Sequence, residues 1–259
     1  MKAMILAAGL GTRLRPLTDH RPKALAEVAG RTLLEIALAR LRSVGIGEVI
    51  INVHHFADMM VEYLQRNHNF GMQIAISREE VLLDTGGGLK NAAYFFCPGP
   101  NSPDEPFLLH NVDVVSTVDL HRMVRFHTDH QALATLAVQE RKTSRYLLFD
   151  PQLQLCGQRS GAEGQTEVVR GAQAELQPLA FCGIHVISPR LLAKMGEEGV
   201  FSIITSYLDL AARGEKILAF RADEYYWRDL GRPEDLLQAA KDLQLSDATS
   251  PSSQKHLSF

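Results

Sequence analysis

Short apolar segments alternate with longer amphipathic ones along most of this chain. Lys2–Ala7 has the length and apolarity of a buried strand, and residues 31–45 then carry apolar side chains at helical spacing before Gly45. Glu48–Val53 and Gln73–Ser77, rich in β-branched residues, repeat the strand pattern. Strands that alternate with helices are typical of a mostly parallel sheet covered by helices. The sequence therefore predicts an α/β fold.

The second half of the chain continues this order with one interruption. Further strands are predicted at Phe107–Val115, Ala132–Gln139 and Leu179–Ser188. Residues 141–178 instead hold short strand-like pieces separated by Gly, Gln and Ser, which predicts an antiparallel insertion. We expect a single Rossmann-like three-layer domain over residues 1–243, with a mixed, mostly parallel central sheet. The polar residues 244–259 are predicted to be a disordered tail.

Composition excludes several classes of protein. The chain has 259 residues, 46% of them hydrophobic, and a net charge of −3, so no global positive charge indicates a nucleic-acid partner. No apolar run approaches the length of a membrane span, and the stretch after Met1 is too short for a signal peptide. The three cysteines form no C-x-x-C pair, which indicates reduced thiols rather than a zinc site or a disulfide framework. We expect a cytoplasmic protein without nucleic-acid or membrane partners.

The first predicted strand runs directly into a glycine-rich, cationic loop, "AAGLGTRLRPLT", followed by Pro22 and Lys23. Gly9 and Gly11 let the backbone turn sharply and expose N–H groups, which suits the oxygens of a polyphosphate. Arg13 adds a planar donor fork and Lys23 a point charge. A tight turn without a ligand is the alternative. The dinucleotide fingerprint fits poorly because its third glycine is replaced by Leu14, and the Gly-Lys-Ser/Thr of a P-loop is absent.

Two acidic residues stand where apolar segments turn polar. Asp113 lies at the end of the predicted strand Phe107–Val115, and Asp229 lies in "YYWRDLGRPEDL". Ligands of parallel α/β sheets bind beyond the carboxyl ends of the strands, so both carboxylates could face one pocket. Two carboxylates together with substrate phosphates suit Mg²⁺, which prefers hard oxygen ligands. The alternative is that each aspartate only caps a strand or a helix.

The string from Gly9 to Thr18, with Pro22 and Lys23, resembles the signature Gly-x-Gly-Thr-Arg-x-x-Pro-Leu-Thr … Pro-Lys of the sugar-1-phosphate nucleotidyltransferase family. The resemblance covers roughly residues 1–243 and implies the nucleotide-diphospho-sugar transferase fold. It implies that Arg13 assists the departure of pyrophosphate and that Lys23 contacts phosphate groups near the reacting centre. It places the bound nucleotide against a set of loop residues, namely Ala8, Gly9, Gly11 and Thr12.

The resemblance also bears on the two aspartates. "WRDLGRP" is similar to the family segment that carries the second metal aspartate, Asp229 here, and "HNVDV" to the Asn-Gly-Asp segment that carries the first, Asp113. Val112 replaces the usual glycine of that segment. A valine does not readily adopt a positive φ and brings a branched side chain toward the pocket. The resemblance implies that Asp113 and Asp229 hold Mg²⁺ and that Asn111 orients the sugar phosphate.

A glycine triplet gives the third point of resemblance. "LLDTGGGLKNA" is similar to the segment that receives the nucleobase, and its Thr-Gly-Gly-Gly form resembles short N-acetylmuramate-1-phosphate uridylyltransferases and the neighbouring manno-sugar guanylyltransferases. Gly183, in "FCGIHV", matches a position on the sugar-binding strand. The alternatives are an ordinary helix N-terminus for the triplet and a strand bulge for Gly183. The resemblance assigns the nucleotide to three glycines, Gly86, Gly87 and Gly88.

The resemblance implies an enzyme that condenses a nucleoside triphosphate, UTP or GTP, with a sugar 1-phosphate to give an NDP-sugar and pyrophosphate. Val112 keeps open a rival hypothesis, a non-catalytic nucleotide-sugar-binding regulatory protein of the same fold. A homo-oligomer is left open. Other polar side chains received weaker assignments: His121, His127 and His130 to a solvated helix face, and Arg141, Lys142 and Arg145 either to a substrate phosphate or to a solvated rim.

Overall fold

The computed structural model describes residues 1–97, 99, 104–160, 164–171 and 176–248. The strands are β1 (Lys2–Leu6), β2 (Glu27–Val28), β3 (Arg31–Thr32), β4 (Glu48–Val53), β5 (Gln73–Arg78), β6 (Phe107–Asn111), β7 (Val114–Ser116), β8 (Ala134–Gln139), β9 (Arg145–Phe149), β10 (Leu155–Ser160), β11 (Thr166–Val168), β12 (Gln177–Ile187), β13 (Ile217–Arg221) and β14 (Trp227–Asp229). The helices are α1 (Leu33–Ser43), α2 (Ala57–Arg66), α3 (Asp84–Asn91), α4 (Ala93–Phe96), α5 (Leu120–Asp129), α6 (Arg190–Lys194), α7 (Ile203–Ala212) and α8 (Pro233–Ala248).

The chain divides into two compact units, each built from separate stretches of sequence. The first unit contains Lys2–Leu82, His110–Thr117 and the residues from Tyr226 onward. The second unit contains Met1, Leu83–Leu109 and Val118–Tyr225.

The first unit is organised by parallel strands. β4 pairs with β1 on one side and with β5 on the other, in parallel register, so the carboxyl ends of all three strands lie at one edge. Residues 3–5 of β1 and 49–53 of β4 are buried, as expected for strands covered on both faces. β7 and β14 form a separate antiparallel ribbon. Helix α1 begins where the Thr32 hydroxyl accepts a hydrogen bond from the Glu35 N–H, a standard N-cap.

The second unit mixes strand directions. β8 pairs with β13 in parallel and with β12 in antiparallel register, while β9, β10 and β11 are antiparallel neighbours. The antiparallel set lies within the predicted insertion, residues 141–178. The predicted α/β fold class with a mixed, mostly parallel central sheet is confirmed. None of the described helices is long and apolar enough to cross a membrane.

The glycine triplet lies in the first turns of α3, which begins at Asp84 and contains all three glycines, as the helix N-terminus alternative predicts. Other predictions need correction. His127 does not belong to a solvated face: it is buried, with its two ring nitrogens 3.0 Å from the hydroxyls of Thr135 and Ser188. Burial lowers the pKa of His127 to about 4, so the ring is neutral at pH 7. Helix α8 extends to Ala248, and residues 249–259 of the predicted disordered tail lie outside the described residues.

Candidate active site

The loop after β1 is shaped by Gly11. Its φ of +65° lies in the left-handed region, and it leads into a 3₁₀ turn at Thr12–Leu14. The Thr18 hydroxyl donates to the Gly11 carbonyl over 2.8 Å. A Cβ at Gly11 would lie 3.0 Å from Lys23 Cβ and 3.0 Å from Thr18 Cγ2. Both the backbone conformation and the close packing of the loop therefore require glycine at this position.

The other predicted nucleotide-binding residues of this loop differ in exposure. Ala8 is buried, whereas Thr12 and Arg13 are exposed. Gly9 has no atom within 4 Å of the position a Cβ would occupy, and its φ is not positive. Because the fold itself does not require glycine at position 9, the open space in front of it is available to a ligand.

Lys23 is a buried cation in the first unit. It begins a 3₁₀ turn directly after Pro22, is 8% exposed, and its Nζ forms an ion pair with Oδ2 of Asp113. An ammonium group is rarely buried this deeply unless it is paired. The predicted phosphate-contacting lysine and the predicted metal aspartate are thus in direct contact.

Asp113 and Asp229 are brought together by the β7–β14 ribbon. Asp229 is in register with Val114, the neighbour of Asp113, and the Leu230 N–H donates to the Asp113 carbonyl over 2.7 Å. Burial raises the pKa of Asp229, and the negative charge of Asp113 raises it further, while Lys23 and Arg13 act in the opposite direction. The charges of Asp113, Lys23 and Arg13 therefore all act on the Asp229 carboxyl.

Gly231 lies between two of these groups. A Cβ at this position would come within 2.6 Å of Asp229 Oδ1 and 2.8 Å of Arg13 Nη2. Any side chain at position 231 would displace the carboxylate or the guanidinium. Sequence reasoning did not single out Gly231, although "WRDLGRP" contains it two residues after the predicted metal ligand.

Asn111 has an unusual side-chain oxygen. Its Oδ1 is buried, and no hydrogen-bond donor of the described chain reaches it. A buried acceptor without a donor costs free energy on the order of 1–3 kcal/mol, so it is an expected place for a ligand donor. The preceding His110 is also buried, its Nδ1 lies 2.7 Å from the Asn111 carbonyl, and burial lowers the pKa of the ring to about 4.

Val112 is accommodated without strain. Its φ is not positive, its side chain is buried, and its N–H donates to the Leu6 carbonyl over 3.1 Å. The concern that valine cannot adopt the backbone of this segment is therefore wrong for this chain. The turn between β6 and β7 does not use the conformation that only glycine adopts easily.

The glycine triplet lies in the second unit and packs against other residues of that unit. The N–H groups of Gly86 and Gly87 donate to the Phe201 carbonyl over 2.9 and 3.3 Å. A Cβ at Gly86 would collide with the Phe201 ring, and one at Gly87 with the Gly199 carbonyl. Packing against residues 199–203 is a sufficient reason for glycine at both positions, and the nucleobase role remains a prediction.

Gly183 occupies a bulge in β12. Its φ is +72°, and the β12–β8 register shifts between Phe181 and His185. Arg141 Nη2 donates to the Phe181 carbonyl over 2.8 Å, so this guanidinium supports the bulge, whereas Lys142 and Arg145 are exposed. The bulge reading of Gly183 is confirmed, and its predicted contact with the sugar remains a prediction.

A family model described as Nucleotidyl transferase matches residues 2–149, more than half of the chain. The chain belongs to the nucleotidyl transferase family. The match contains the Gly9–Lys23 loop and Asp113, and it ends before Asp229.

Curated relatives and solved structures agree with this family. The chain is 35% identical over 246 residues to the N-acetylmuramate alpha-1-phosphate uridylyltransferase of Caulobacter vibrioides, a match that covers 92% of this chain and 94% of that protein. It is 27% identical over 255 residues to the mannose-1-phosphate guanylyltransferase of Mycobacterium tuberculosis, covering 98% of this chain and 67% of that protein. HddC from Yersinia pseudotuberculosis, solved in complex with GMP-PN, has the same fold, with a TM-score of 0.71 at 20% identity over 93% of this chain and 98% of that chain.

Members of the nucleotidyl transferase family generally use a divalent metal ion. Within the described residues, no group of three or more His, Cys, Asp or Glu side chains is arranged to hold one. Two neighbouring carboxylates, Asp113 and Asp229, are present, and Mg²⁺ is commonly held by one or two carboxylates together with substrate phosphates and water. The donor set of this site therefore fits a metal that arrives with a nucleotide.

Proposed function

We propose that this chain is a Mg²⁺-dependent enzyme that condenses a nucleoside triphosphate with a sugar 1-phosphate, giving an NDP-sugar and pyrophosphate. The observation that carries the proposal is the cluster in the first unit. Lys23 pairs with Asp113, and Arg13 and Asp229 flank Gly231, next to a loop that Gly11 turns. We propose that residues 1–243 make up the nucleotidyltransferase domain.

The reaction requires no nucleophile from the protein. A phosphate oxygen of the sugar 1-phosphate attacks the α-phosphorus of the nucleoside triphosphate, the new P–O bond forms, and the bond to the β-phosphate oxygen breaks with its electron pair leaving on pyrophosphate. Both reactants are anions that repel each other. The main task of the site is therefore to hold them in line and to stabilise the negative charge on the transferring group.

The two cations of the site suit this task differently. Lys23 is buried and fixed by its ion pair with Asp113, so it provides a preorganised positive charge near the reacting phosphate. Arg13 is exposed and planar, which suits a bidentate hold on the departing pyrophosphate. A Mg²⁺ ion held by Asp113 and Asp229 would supply further charge neutralisation on the phosphates.

Two polar features are proposed to orient the substrates. The buried Oδ1 of Asn111 would accept a hydrogen bond from a hydroxyl of the sugar phosphate, which would satisfy an acceptor that has no donor in the described chain. The segment around α3 would contact the nucleobase by close approach of its backbone. The N–H groups of Gly86 and Gly87 would not take part, because both donate to Phe201.

UTP and N-acetylmuramate α-1-phosphate are the first substrates we propose to test. The relative named for this reaction is 35% identical and is covered over 94% of its length. GTP and mannose 1-phosphate come second, because the guanylyltransferase of Mycobacterium tuberculosis is 27% identical and is covered over 67%. The regulatory alternative has no support from Val112, since the backbone accepts that residue without strain.

The test is a grid of four nucleoside triphosphates against a panel of sugar 1-phosphates, scored by the release of pyrophosphate with Mg²⁺ and again with a chelator. We expect release with UTP or GTP and one or a few sugars, and none without the metal. A protein that binds a nucleotide but releases no pyrophosphate with any pair would contradict the proposal. An Asp113→Asn variant run on the same grid controls for contaminating phosphatases and transferases.

A further inference from the structure

A chain of buried hydrogen bonds joins the carboxyl ends of β1, β4 and β5. The Ala7 N–H, directly after β1, donates to Asn52 Oδ1 over 2.7 Å. Asn52 Nδ2 donates to Glu79 Oε1 over 2.7 Å, and Asn52 and Glu79 are 2% and 5% exposed. All three residues belong to the first unit, and none has a role in the function proposed above.

Glu79 is the last residue in this series of hydrogen bonds, and its backbone is fixed. Its N–H donates to the Val53 carbonyl over 2.8 Å, and its own carbonyl lies 2.8 Å from Nδ1 of His54. The backbone of Glu79 is therefore held at both polar groups. Its carboxylate is therefore held in a defined position, where it accepts the hydrogen bond from the Asn52 amide.

The chemistry of the partners permits only one orientation of Asn52. The Glu79 carboxyl oxygen accepts from Asn52, so the Nδ2 group of the amide faces Glu79. A backbone N–H only donates, so the Oδ1 atom must face Ala7. Both ends of the Asn52 side chain are matched, and the amide cannot rotate without losing two buried hydrogen bonds.

These hydrogen bonds affect the glycine-rich loop after β1. Leu6 is the last residue of β1 in register with β4, where its partner is Asn52, and the next N–H, that of Ala7, donates to the side chain of Asn52. This hydrogen bond holds the backbone at the point where Ala8 and Gly9 leave the sheet. We infer that Asn52, oriented by Glu79, is a positioning residue for the phosphate-binding loop; this inference rests on the proposed function.

At Asn52 the amide can be replaced by a carboxylate, and at Glu79 the carboxylate by an amide, without changing the size of either side chain. In Asn52→Asp, the carboxylate still accepts from Ala7, but its second oxygen faces the Glu79 carboxylate and the two repel. In Glu79→Gln, the side-chain carbonyl still accepts from Asn52. In the double variant Asn52→Asp/Glu79→Gln, the donor and acceptor roles are reversed and both hydrogen bonds can form again. Matched variants therefore test the pattern of hydrogen bonds rather than side-chain volume.

The experiment measures steady-state pyrophosphate release, and calorimetric binding of UTP and GTP with Mg²⁺, for the wild type, both single variants and the double variant. We expect Asn52→Asp to raise the KM and the dissociation constant for the nucleotide by about 10- to 100-fold, since a shift of about 1 Å in a substrate-positioning group has effects of this size. The KM for the sugar phosphate should stay within about twofold. Glu79→Gln should be close to wild type, and the double variant should regain most of the nucleotide affinity.

The outcomes separate this inference from the proposed function. If the wild type is active and Asn52→Asp binds the nucleotide as tightly as the wild type, the positioning role is wrong and the proposed function stands. If Asn52→Asp does not fold, the double variant decides: a folded double variant that still binds nucleotide weakly contradicts the inference. If the wild type binds nucleotide but releases no pyrophosphate, the proposed function falls, while the binding measurements still test Asn52.

Discussion

The two glycine-rich segments of this chain use glycine for different purposes. In the loop after β1, Gly11 has a positive φ and lies against Lys23 and Thr18, while Gly9 faces open space. In α3, Gly86 is helical and lies against Phe201. Glycine in the first segment permits a turn and leaves open space at Gly9, whereas glycine in the second segment makes room for neighbouring residues of the protein. Although both segments are rich in glycine, adding one methyl group to a glycine is therefore expected to have opposite consequences in the two.

The largest effect is expected at the ion pair beside the first segment. Asp113→Asn removes the charge that pairs with Lys23 and one of the two carboxylates of the cluster. We expect pyrophosphate release to fall by about 10³-fold or more, in the range seen when a preorganised electrostatic group is lost. Melting temperature and activity should be measured together, and a folded Asp113→Asn protein with near-normal turnover would contradict the assignment.

Gly231→Ala tests whether the positions of Asp229 and Arg13 depend on the absence of a side chain at position 231. The added methyl group must displace Asp229 Oδ1 or Arg13 Nη2, which lie 2.6 and 2.8 Å from its position. We expect kcat to fall by about 100-fold, because small misplacements of groups that position a substrate have effects of this size. The concentration of Mg²⁺ giving half-maximal rate should rise as well. An unchanged metal dependence would show that position 231 does not act through Asp229.

Gly9→Ala is expected to change function and leave stability intact. Apart from Gly9 and its two chain neighbours, none of the described residues lies within 4 Å of the new methyl group, and the φ of Gly9 is not positive. We expect the free energy of unfolding to change by less than about 0.5 kcal/mol. The KM for the nucleoside triphosphate should rise about tenfold if phosphates approach this backbone closely. Unchanged kinetics would place the phosphates elsewhere.

Gly86→Ala is the matched opposite and should have the smallest effect on chemistry. Its methyl group collides with the Phe201 ring, and overpacking of this kind costs about 1–3 kcal/mol of stability. We expect a lower melting temperature, with kcat in the folded protein within about threefold of wild type. Chemical denaturation and kinetics of the two alanine variants, compared side by side, check the contrast. A stable Gly86→Ala protein with lost turnover would reverse the comparison.

The sequence named the residues of the cluster, whose roles remain predictions, and it gave less information about their surroundings. The motif around Gly11, Arg13 and Lys23 identified the loop, and the polar ends of apolar segments identified Asp113 and Asp229. Gly231 was missed because part of its need for glycine comes from Arg13, which lies more than 200 positions earlier in the sequence, in addition to the neighbouring Asp229. No local pattern reports that contact.

Buried polar residues account for the other differences. Asn52 lies near the end of β4 and Glu79 directly follows β5, so both look like ordinary strand ends. Only the pairing of three strands shows that they form one network. His127 was assigned to a solvated face because histidine is polar, although it shares a helix face with the buried Leu120 and Met123. Helical spacing contained that signal, and residue type was given too much weight.

The most direct test of the central cluster is the enhancement of water-proton relaxation by Mn²⁺ in the presence of UTP or GTP, comparing wild type and Asp229→Asn. If Asp113 and Asp229 together hold the metal that accompanies the nucleotide, the enhancement appears in the wild type and is lost in Asp229→Asn. An enhancement that persists unchanged in a folded Asp229→Asn protein would contradict this account of the site.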